Sequence, residues 1–436
     1  MEHHLPPEIL MQIFSACCSE QCPIQTSVAV YLSQICTRWR AIVLSMPNLW
    51  ASFSIQLGQL NRGGFGQDAD RSETISRLLH LHLERSATYP LSFDADFQNA
   101  RVVSPPALSL LAALVEHSTR WASVILPLSP AVVPVLGHIN SRLDRLENLR
   151  LRMKGSADPD AWADCKIFQT APRLRRLTLG SSPSMLPFPT TQLTELHLGA
   201  IATFKMVQFM TRSPCPNLTR LTLTPYYEAY PTSQSLPSLP VFRHLHTLVL
   251  AIRDGYSRNP VIEVLGLLTA PTLKNLQVAG MREIRLPRQS FASFLQRSVC
   301  KLENLTLDFQ ESSKVLEFIG NFEALPSLAH LVLVARGKDV MRAVGRMLQS
   351  LNLSNNHIPM LPNLVSIDLQ TVDFHNSILD VAESRINGTA HGSRLKILIL
   401  RNAPDTEFAC TRLHLLEARG LQVSYFAPCK TPDIFL

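Results

Sequence analysis

The chain of 436 residues has few charged residues, no long apolar run and none of the short motifs that mark common enzymes. No apolar run approaches the ~20 residues of a membrane-spanning helix. The N-terminus leads straight into an amphipathic pattern and lacks the basic-then-apolar order of a signal peptide. P-loop, nucleophile-elbow, zinc-protease and Cys-x-x-Cys motifs are all missing. We therefore expect a non-enzymatic protein away from the membrane, with no catalytic residues, no metal and no cofactor.

The nine cysteines form no regular pattern. An odd number of irregularly spaced cysteines predicts reduced thiols, which are typical of the cytoplasm or the nucleus. Cys17, Cys18 and Cys22 lie close in sequence, but no nearby residue completes a zinc-binding set. We interpret them as core or surface thiols.

Apolar residues make up 46% of the chain and charged residues 17%, a balance typical of a folded protein. The formal net charge is +7, and it is spread along the chain. A basic balance is compatible with nucleic acid or with an acidic protein as a partner, and it does not choose between them.

A repeated phrase, Leu-x-x-Leu-x-Leu with occasional Ile or Val, dominates the chain from residue 146 onward. It begins at residues 146, 174, 193, 218, 245, 273, 302, 328, 364 and 395. The starts lie 19 to 36 residues apart, a period typical of leucine-rich repeats, in which each unit supplies a short strand and a helical return. Because one unit cannot bury its own apolar face, the units must stack. The sequence therefore predicts an α/β fold: a curved solenoid with strands on the concave face and helices on the convex face.

Prolines mark the boundaries of these repeats. In five repeats a proline stands two residues before the first leucine, at Pro172, Pro216, Pro271, Pro326 and Pro362. Proline ends a helix and biases the preceding residue toward extended backbone, so it separates the return helix from the next strand.

The repeats depart from the common pattern at the ninth position, which usually holds an Asn or Cys that bonds the backbone of the turn. Here that position varies freely, as at Tyr226 and Val372, so we expect no polar ladder there, and the curvature is left open. The stretch 348–362 matches the ideal repeat, Asn included. It is either an extra repeat or, as we prefer, the end of a helix from about Lys338 to Ser350 followed by a loop to Pro362.

The first fifty residues have a different pattern. Pro6 and Pro7 suit a helix start. One apolar stripe at helical spacing follows them, and a second one ends before Pro47. The stripes consist of Ile9, Leu10, Ile13, Phe14 and Cys17, and of Val28, Leu32, Cys36, Trp39 and Val43. Three helices this short cannot bury much surface alone, which favours a docking module.

Residues 5–50 resemble the F-box, the adaptor-binding module of cullin-type ubiquitin ligases. The resemblance rests on the Leu-Pro opening, the Ile-Phe pair at 13–14, the Cys-x-x-Trp-Arg core at 36–40 and the closing Leu-Trp at 49–50. It implies that the helices bind a Skp1-like acidic adaptor, and through it a cullin and a ubiquitin-charged E2. By position, the implied adaptor contacts are Leu5, Pro6, Ile9, Leu10, Ile13, Phe14, Leu32, Trp39, Leu49 and Trp50. The alternative is a helical cap whose apolar residues all belong to the core. We expect Cys36 to be a core residue under both interpretations.

These patterns divide the chain into four parts: an F-box at 1–50, degenerate first repeats or a linker at 51–145, a leucine-rich-repeat solenoid at 146–426, and a tail at 427–436. Between 51 and 145, Ile75 to Leu83 looks helical, while the segments at 90–94 and 121–126 look like strands. The segments around His80 and His117 resemble those of a large F-box family of mushroom-forming fungi.

The third, fifth and seventh positions of each phrase should line the concave face, because alternate side chains of a strand face opposite sides. In the first half these positions carry four arginines and one glutamate. Since the guanidinium fork suits carboxylate and phosphate, this half could hold an acidic or phosphorylated segment; a solvated face without a ligand is the alternative. The candidate target-binding residues are Arg150, Arg152, Arg176, Glu195, His197, Arg220, Asn275, Asn304 and Asp308.

Together these features favour a substrate-recognition subunit of a Skp1-cullin-F-box type ubiquitin ligase, in which the F-box docks the adaptor and the solenoid binds a target protein. The alternative is a leucine-rich-repeat interaction scaffold that acts without a cullin. A nucleic-acid binder ranks last, because the aromatic positions expected for stacking on single strands are missing from the concave strips.

Overall fold

The computed structural model describes residues 5–18, 21–57, 67–97, 104–139, 141–153, 166–180, 186–226, 239–251, 260–281, 288–353, 360–371, 376–386, 394–401 and 407–425. The chain forms two compact units, Met1–Glu195 and Leu196–Leu436. The tail at 427–436 lies outside the described residues.

The first unit opens with three helices: the first apolar stripe lies on one helix, and the second stripe is divided at Cys36 between two. They are α1 (Pro7–Cys17), α2 (Val28–Ile35) and α3 (Thr37–Leu44), followed by a 3-10 turn at Pro47–Trp50. Pro7 stands in the first turn of α1, where its missing N–H is not needed. The thiol of Cys36 caps α3 by accepting from the Trp39 amide at 3.4 Å.

Strands and return helices then alternate. The first unit contains β1 (Ser52–Gln56), α4 (Gln67–Arg85), β2 (Leu91–Asp96), α5 (Pro105–Glu116), β3 (Trp121–Leu128), α6 (Val133–Leu136), β4 (Asn148–Met153) and β5 (Arg176–Leu179). Each strand from β1 to β5 pairs in parallel with the next. In this register Val124 of β3 aligns with Leu149 and Leu177, and all three side chains are buried.

Strand β6 (Glu195–Ala202) crosses the division, and the second unit continues with the same alternation. Its further elements are α7 (Thr203–Arg212), β7 (Arg220–Tyr226), β8 (Thr247–Ala251), α8 (Pro260–Leu267), β9 (Asn275–Met281), α9 (Arg288–Ser298), β10 (Asn304–Phe309), α10 (Ser312–Phe318), β11 (His330–Ala335), α11 (Lys338–Ser350), β12 (Ser366–Thr371), α12 (Ser377–Ile386), β13 (Ile397–Leu400), α13 (Glu407–Ala418) and β14 (Gln422–Tyr425). Strands β7 to β14 again pair in parallel in chain order.

The predicted α/β repeat fold is thereby confirmed. Each of the ten leucine phrases corresponds to one strand, from β4 to β13. The phrase leucines are buried, whereas the residues between them are mostly half-buried or exposed. Helix α11 has the bounds predicted for it, and residues 351–353 and 360–362 contain no strand. Residues 354–359 lie outside the described part.

Arginines tie the return helices of neighbouring repeats together. Arg120 donates to the carbonyl oxygens of Leu83 and Tyr89 at 3.3 and 3.1 Å, at the end of α4. Arg385, which is fully buried, donates to three carbonyl oxygens beyond the end of α11: those of Leu351 (3.0 Å), Met360 and Leu361 (2.9 Å). These bonds supply guanidinium donors to carbonyls at the ends of α4 and α11 and in the turns that follow them, where the helical hydrogen-bond pattern stops.

Within the described residues, no helix combines the length and apolar character needed to cross a bilayer.

Candidate functional site

The helical module has a small core of its own. The cluster consists of Leu10, Phe14, Ala29, Val43, Met46, Leu49 and Trp50. The indole N–H of Trp50 donates to the Val43 carbonyl at 3.1 Å, and the rings of Phe14 and Trp39 lie 4.9 Å apart. This packing fixes α1 against α3 and the 3-10 turn.

The opposite face of α1 is exposed and apolar. Leu5 just before the helix is 50% exposed, Ile9 41% and Ile13 42%, and their spacing of four residues places them in one row. Of the twelve large apolar side chains that are exposed among the described residues, seven lie between residues 5 and 44. A contiguous apolar surface of this kind marks an interaction site in a folded protein.

The ten implied adaptor contacts therefore fall into three groups. Leu5, Pro6, Ile9 and Ile13 are exposed, while Leu32 and Trp39 are half-buried. The remaining four are buried, which differs from the expectation that all ten face a partner: Leu10, Phe14, Leu49 and Trp50. Helical periodicity explains the split on α1, because Leu10 and Phe14 each follow an exposed residue of the row; Leu49 and Trp50 are buried because the 3-10 turn packs into the core of the module.

One further expectation for this module was wrong, and several exposed apolar residues were not predicted. Cys36 was expected in the core but is exposed, and its sulfur serves as the N-cap of α3. Tyr31 and Ile35 of α2 and Leu44 of α3 are exposed although the sequence did not single them out. These three residues lie next to the second apolar stripe, which runs from Val28 to Val43. The sequence alone does not show which side of these helices faces the core.

The Cys18 thiol, between Cys17 and Cys22 in sequence, is not activated. Burial, followed by Cys17 and Cys22, raises the pKa of Cys18 to about 11, so its thiol stays protonated near neutral pH. Among the described residues no set of three His, Cys, Asp or Glu side chains is suited to a metal ion.

A buried histidine joins the module to the first repeat. Nδ1 of His82 in α4 lies 3.0 Å from the carbonyl oxygen of Trp50, which can only accept, so Nδ1 carries the proton. The imidazole packs edge-on against Trp50 and Phe53, with ring centroids 5.2 and 5.4 Å away. Burial lowers the pKa of His82, so the ring is neutral at pH 7.

The open strand face of the first unit is not as positive as the phrase positions suggested. Arg152 forms a two-pronged ion pair with Asp94 of β2 at 2.7 and 2.8 Å, and Asp96 lies 3.9 Å away. Arg176 pairs with Glu195 at 3.2 Å. Arg150 is half-buried, and burial and then Arg152 lower its pKa. Three arginines thus share this face with three carboxylates, two of which stand on a strand that lacks the leucine phrase.

In the second unit three candidate target residues already have partners: Asn275 and Asn304 form hydrogen bonds between uncharged groups, and Asp308 forms an ion pair. The Asn304 amide donates to the Asn275 oxygen at 2.6 Å, and Asn275 donates to the Thr247 hydroxyl at 3.1 Å. Asp308 is buried and pairs with Arg336 at 3.2 Å; burial raises the pKa of its carboxyl.

His197 is half-buried and Arg220 is exposed. Thr247, Asn275 and Asn304 form a polar ladder at the first strand position of three repeats. From the sequence we considered such a ladder only at the ninth phrase position, where we expected none.

Comparison with known proteins agrees with the N-terminal geometry. Residues 3–56 match the family model described as F-box-like. No curated protein matches the chain. A chain from the crystal structure of the Rad7 and Elc1 complex in yeast is similar over 92% of this chain and 97% of its own, with 14% sequence identity and a TM-score of 0.35. The chain thus carries an F-box-like module at its N-terminus, followed by parallel strand–helix repeats.

Proposed function

We propose that this protein is the non-catalytic substrate-recognition subunit of a Skp1-cullin-F-box type ubiquitin ligase, active in the cytoplasm, the nucleus or both. The helical module binds a Skp1-like adaptor and through it a cullin, and the repeats hold the target. A target held near a ubiquitin-charged E2 experiences a high effective concentration of the reactive group. The proposed division is an F-box at 1–50, degenerate repeats at 51–145, a solenoid at 146–426 and a tail at 427–436. Membership of the fungal F-box family stays a prediction.

The observation that carries this proposal is the exposed apolar row on α1. Leu5, Ile9 and Ile13 remain in solvent although Leu10 and Phe14 of the same segment are buried. Burying three such side chains contributes roughly 25 cal/mol per Å² of apolar area removed from water, which is a strong drive toward a partner. The buried four contribute indirectly, by holding the row in place.

For the target, we propose the open strand faces of the repeats. The candidate contacts are Arg150, Arg152, Arg176, Glu195, His197, Arg220, Asn275, Asn304 and Asp308. Because Arg152 and Arg176 already hold carboxylates, a target must compete for them or bind beside them.

The double variant Ile9→Asp/Ile13→Asp tests adaptor docking. Each change places a carboxylate on the exposed row, facing an acidic adaptor, and removes apolar contact area. We expect adaptor binding to weaken at least about a hundredfold while the melting temperature stays within a few degrees, since neither residue is in the core. Isothermal titration calorimetry with purified adaptor and the full chain measures the affinity, and thermal unfolding measures the melting temperature.

The matched control is Leu316→Asp/Leu415→Asp, which makes the same kind of change at exposed positions on α10 and α13. It should bind the adaptor as the unaltered chain does. Unchanged adaptor affinity in Ile9→Asp/Ile13→Asp would overturn the docking proposal.

The scaffold alternative is favoured by one observation: Trp50 joins the module to the first repeat through His82, as a folding cap would. A scaffold predicts no adaptor binding by the unaltered chain, so the same titration separates the two functions.

A further inference from the structure

The N-terminal ends of strands β3 to β5 form an edge that carries arginines at recurring positions. Arg120 directly precedes β3, Arg175 directly precedes β5, and Arg145 and Arg173 lie three residues before β4 and β5. Backbone bonds link these ends: the Glu147 amide donates to the Ala122 carbonyl and the Arg175 amide to the Glu147 carbonyl, both at 2.9 Å. We call the four arginines 120, 145, 173 and 175 the basic edge.

Two members of the basic edge converge on one loop. Arg120 donates to the Tyr89 carbonyl at 3.1 Å, and Arg145 donates to the neighbouring Thr88 carbonyl at 3.3 Å. Burial lowers the pKa of Arg120, and the positive charge of the nearby Arg145 lowers it further. Holding like charges this close costs free energy, which an anion would recover.

The basic edge carries more positive than negative charge, although Asp144 and Glu147 lie beside Arg145, and Glu147 directly precedes β4. Arg145, Arg173 and Arg175 are exposed, and none of them forms an ion pair with any described carboxylate. The described residues between 104 and 180 carry nine Lys and Arg against three Asp and Glu. The complete segment carries ten against six, three of the acids being in 154–165 outside the described residues. This contrasts with the strand face, where arginines and carboxylates pair.

We propose that the basic edge binds a carboxylate-rich segment of the target protein, an inference that rests on the proposed function. Three guanidinium groups with unused N–H donors suit a run of Asp and Glu side chains. Exposed Tyr89 at one end of the edge offers an aromatic surface to the same segment. Single-stranded nucleic acid would call for several stacking aromatics, and Tyr89 is the only exposed large apolar or aromatic side chain among the described residues 45–195.

The test uses a short fluorescein-labelled poly-glutamate peptide and the full chain, with fluorescence anisotropy at low ionic strength. The variant is Arg145→Glu/Arg173→Glu/Arg175→Glu, which leaves the structural bonds of Arg120 in place. We expect the peptide to bind the unaltered chain and the dissociation constant to rise at least about tenfold in the variant. A photo-reactive version of the peptide should crosslink to residues 88–89, 120 or 173–175.

The control is Arg243→Glu/Arg346→Glu/Arg419→Glu, three exposed arginines of the second unit with no described side-chain partner, which changes the net charge equally. It should bind within about twofold of the unaltered chain. Equal losses in both variants, or crosslinks elsewhere, would overturn the proposal. So would tighter binding of an oligothymidylate of equal charge, which would assign the edge to nucleic acid. Because the assay contains no adaptor, its result is independent of whether the module docks one.

Discussion

At the scale of single residues, the same residue type serves different purposes that the sequence does not distinguish. Ile9 and Leu10 are neighbours with similar side chains, yet one is exposed and the other buried. Both were predicted as adaptor contacts, because the resemblance carries over positions and not faces. The alternation between faces follows from helical geometry, but which face is inward depends on where α3 packs.

His82 is the residue whose charge state most directly affects the module. Its folded-state pKa lies below the ordinary value of 6.5 because it is buried. As pH falls below 6.5, the unfolded chain takes up the proton before the folded chain does, so stability falls until the folded pKa is reached. We therefore expect the free energy of unfolding to decrease between pH 6.5 and 5.5.

The variant His82→Asn removes this titration while an amide N–H can still reach the Trp50 carbonyl. Urea unfolding followed by tryptophan fluorescence at several pH values should show a smaller loss between pH 6.5 and 5.5 than in the unaltered chain. His80→Gln, an exposed change on the same helix, is the control and should follow the unaltered chain. An identical pH dependence in His82→Asn would contradict the buried-histidine account.

At the scale of elements, the sequence predicted most strands: the leucine phrases predicted ten, and the segments at 90–94 and 121–126 predicted β2 and β3, whereas β1 was not predicted. The ten leucine phrases gave ten strands because a buried strand position tolerates little but an aliphatic side chain. Strands β1 and β2 lack the phrase because Phe53 and Phe93 fill the buried position that Val124 fills in β3 and Leu149 in β4. Their ring stacking, with Phe53 and Phe93 6.0 Å apart, replaces the leucine ladder.

The arginine caps could not be predicted, because each bridges residues far apart in sequence. Arg385 bonds carbonyls 24 to 34 residues earlier. Replacing it with Met removes a donor from each of these three carbonyls, of which Leu361 still accepts from the Leu364 amide, and should lower the free energy of unfolding by about 3 kcal/mol. The free energy of unfolding of Arg385→Lys should lie between those of the unaltered chain and Arg385→Met, since an ammonium supplies fewer donors in a different geometry.

Urea unfolding measures this effect, and Arg346→Met, an exposed change on α11, provides the control. A loss below about 1 kcal/mol in Arg385→Met would show that water replaces the guanidinium and that the cap is dispensable.

At the scale of the whole molecule, some of the arginines behind the net charge of +7 have a structural role. Several arginines cap helix ends or pair with carboxylates across strands, so the overall charge does not by itself indicate a nucleic-acid partner. Two candidate surfaces remain: the apolar row in the helical module, and the arginines of the basic edge, which form no ion pair with a described carboxylate. Sequence reasoning found the module but placed the positive surface on the strand face, because the compensating Asp94 and Asp96 belong to a strand without the leucine phrase.

The most direct test of the central claim is hydrogen exchange of the full chain with and without a purified Skp1-like adaptor. Adaptor binding should slow exchange in α1 and at the exposed positions of α2 and α3, all within residues 5–44, and leave the strands of the repeats unchanged. Protection confined to the repeats, or no protection at saturating adaptor, would contradict the account.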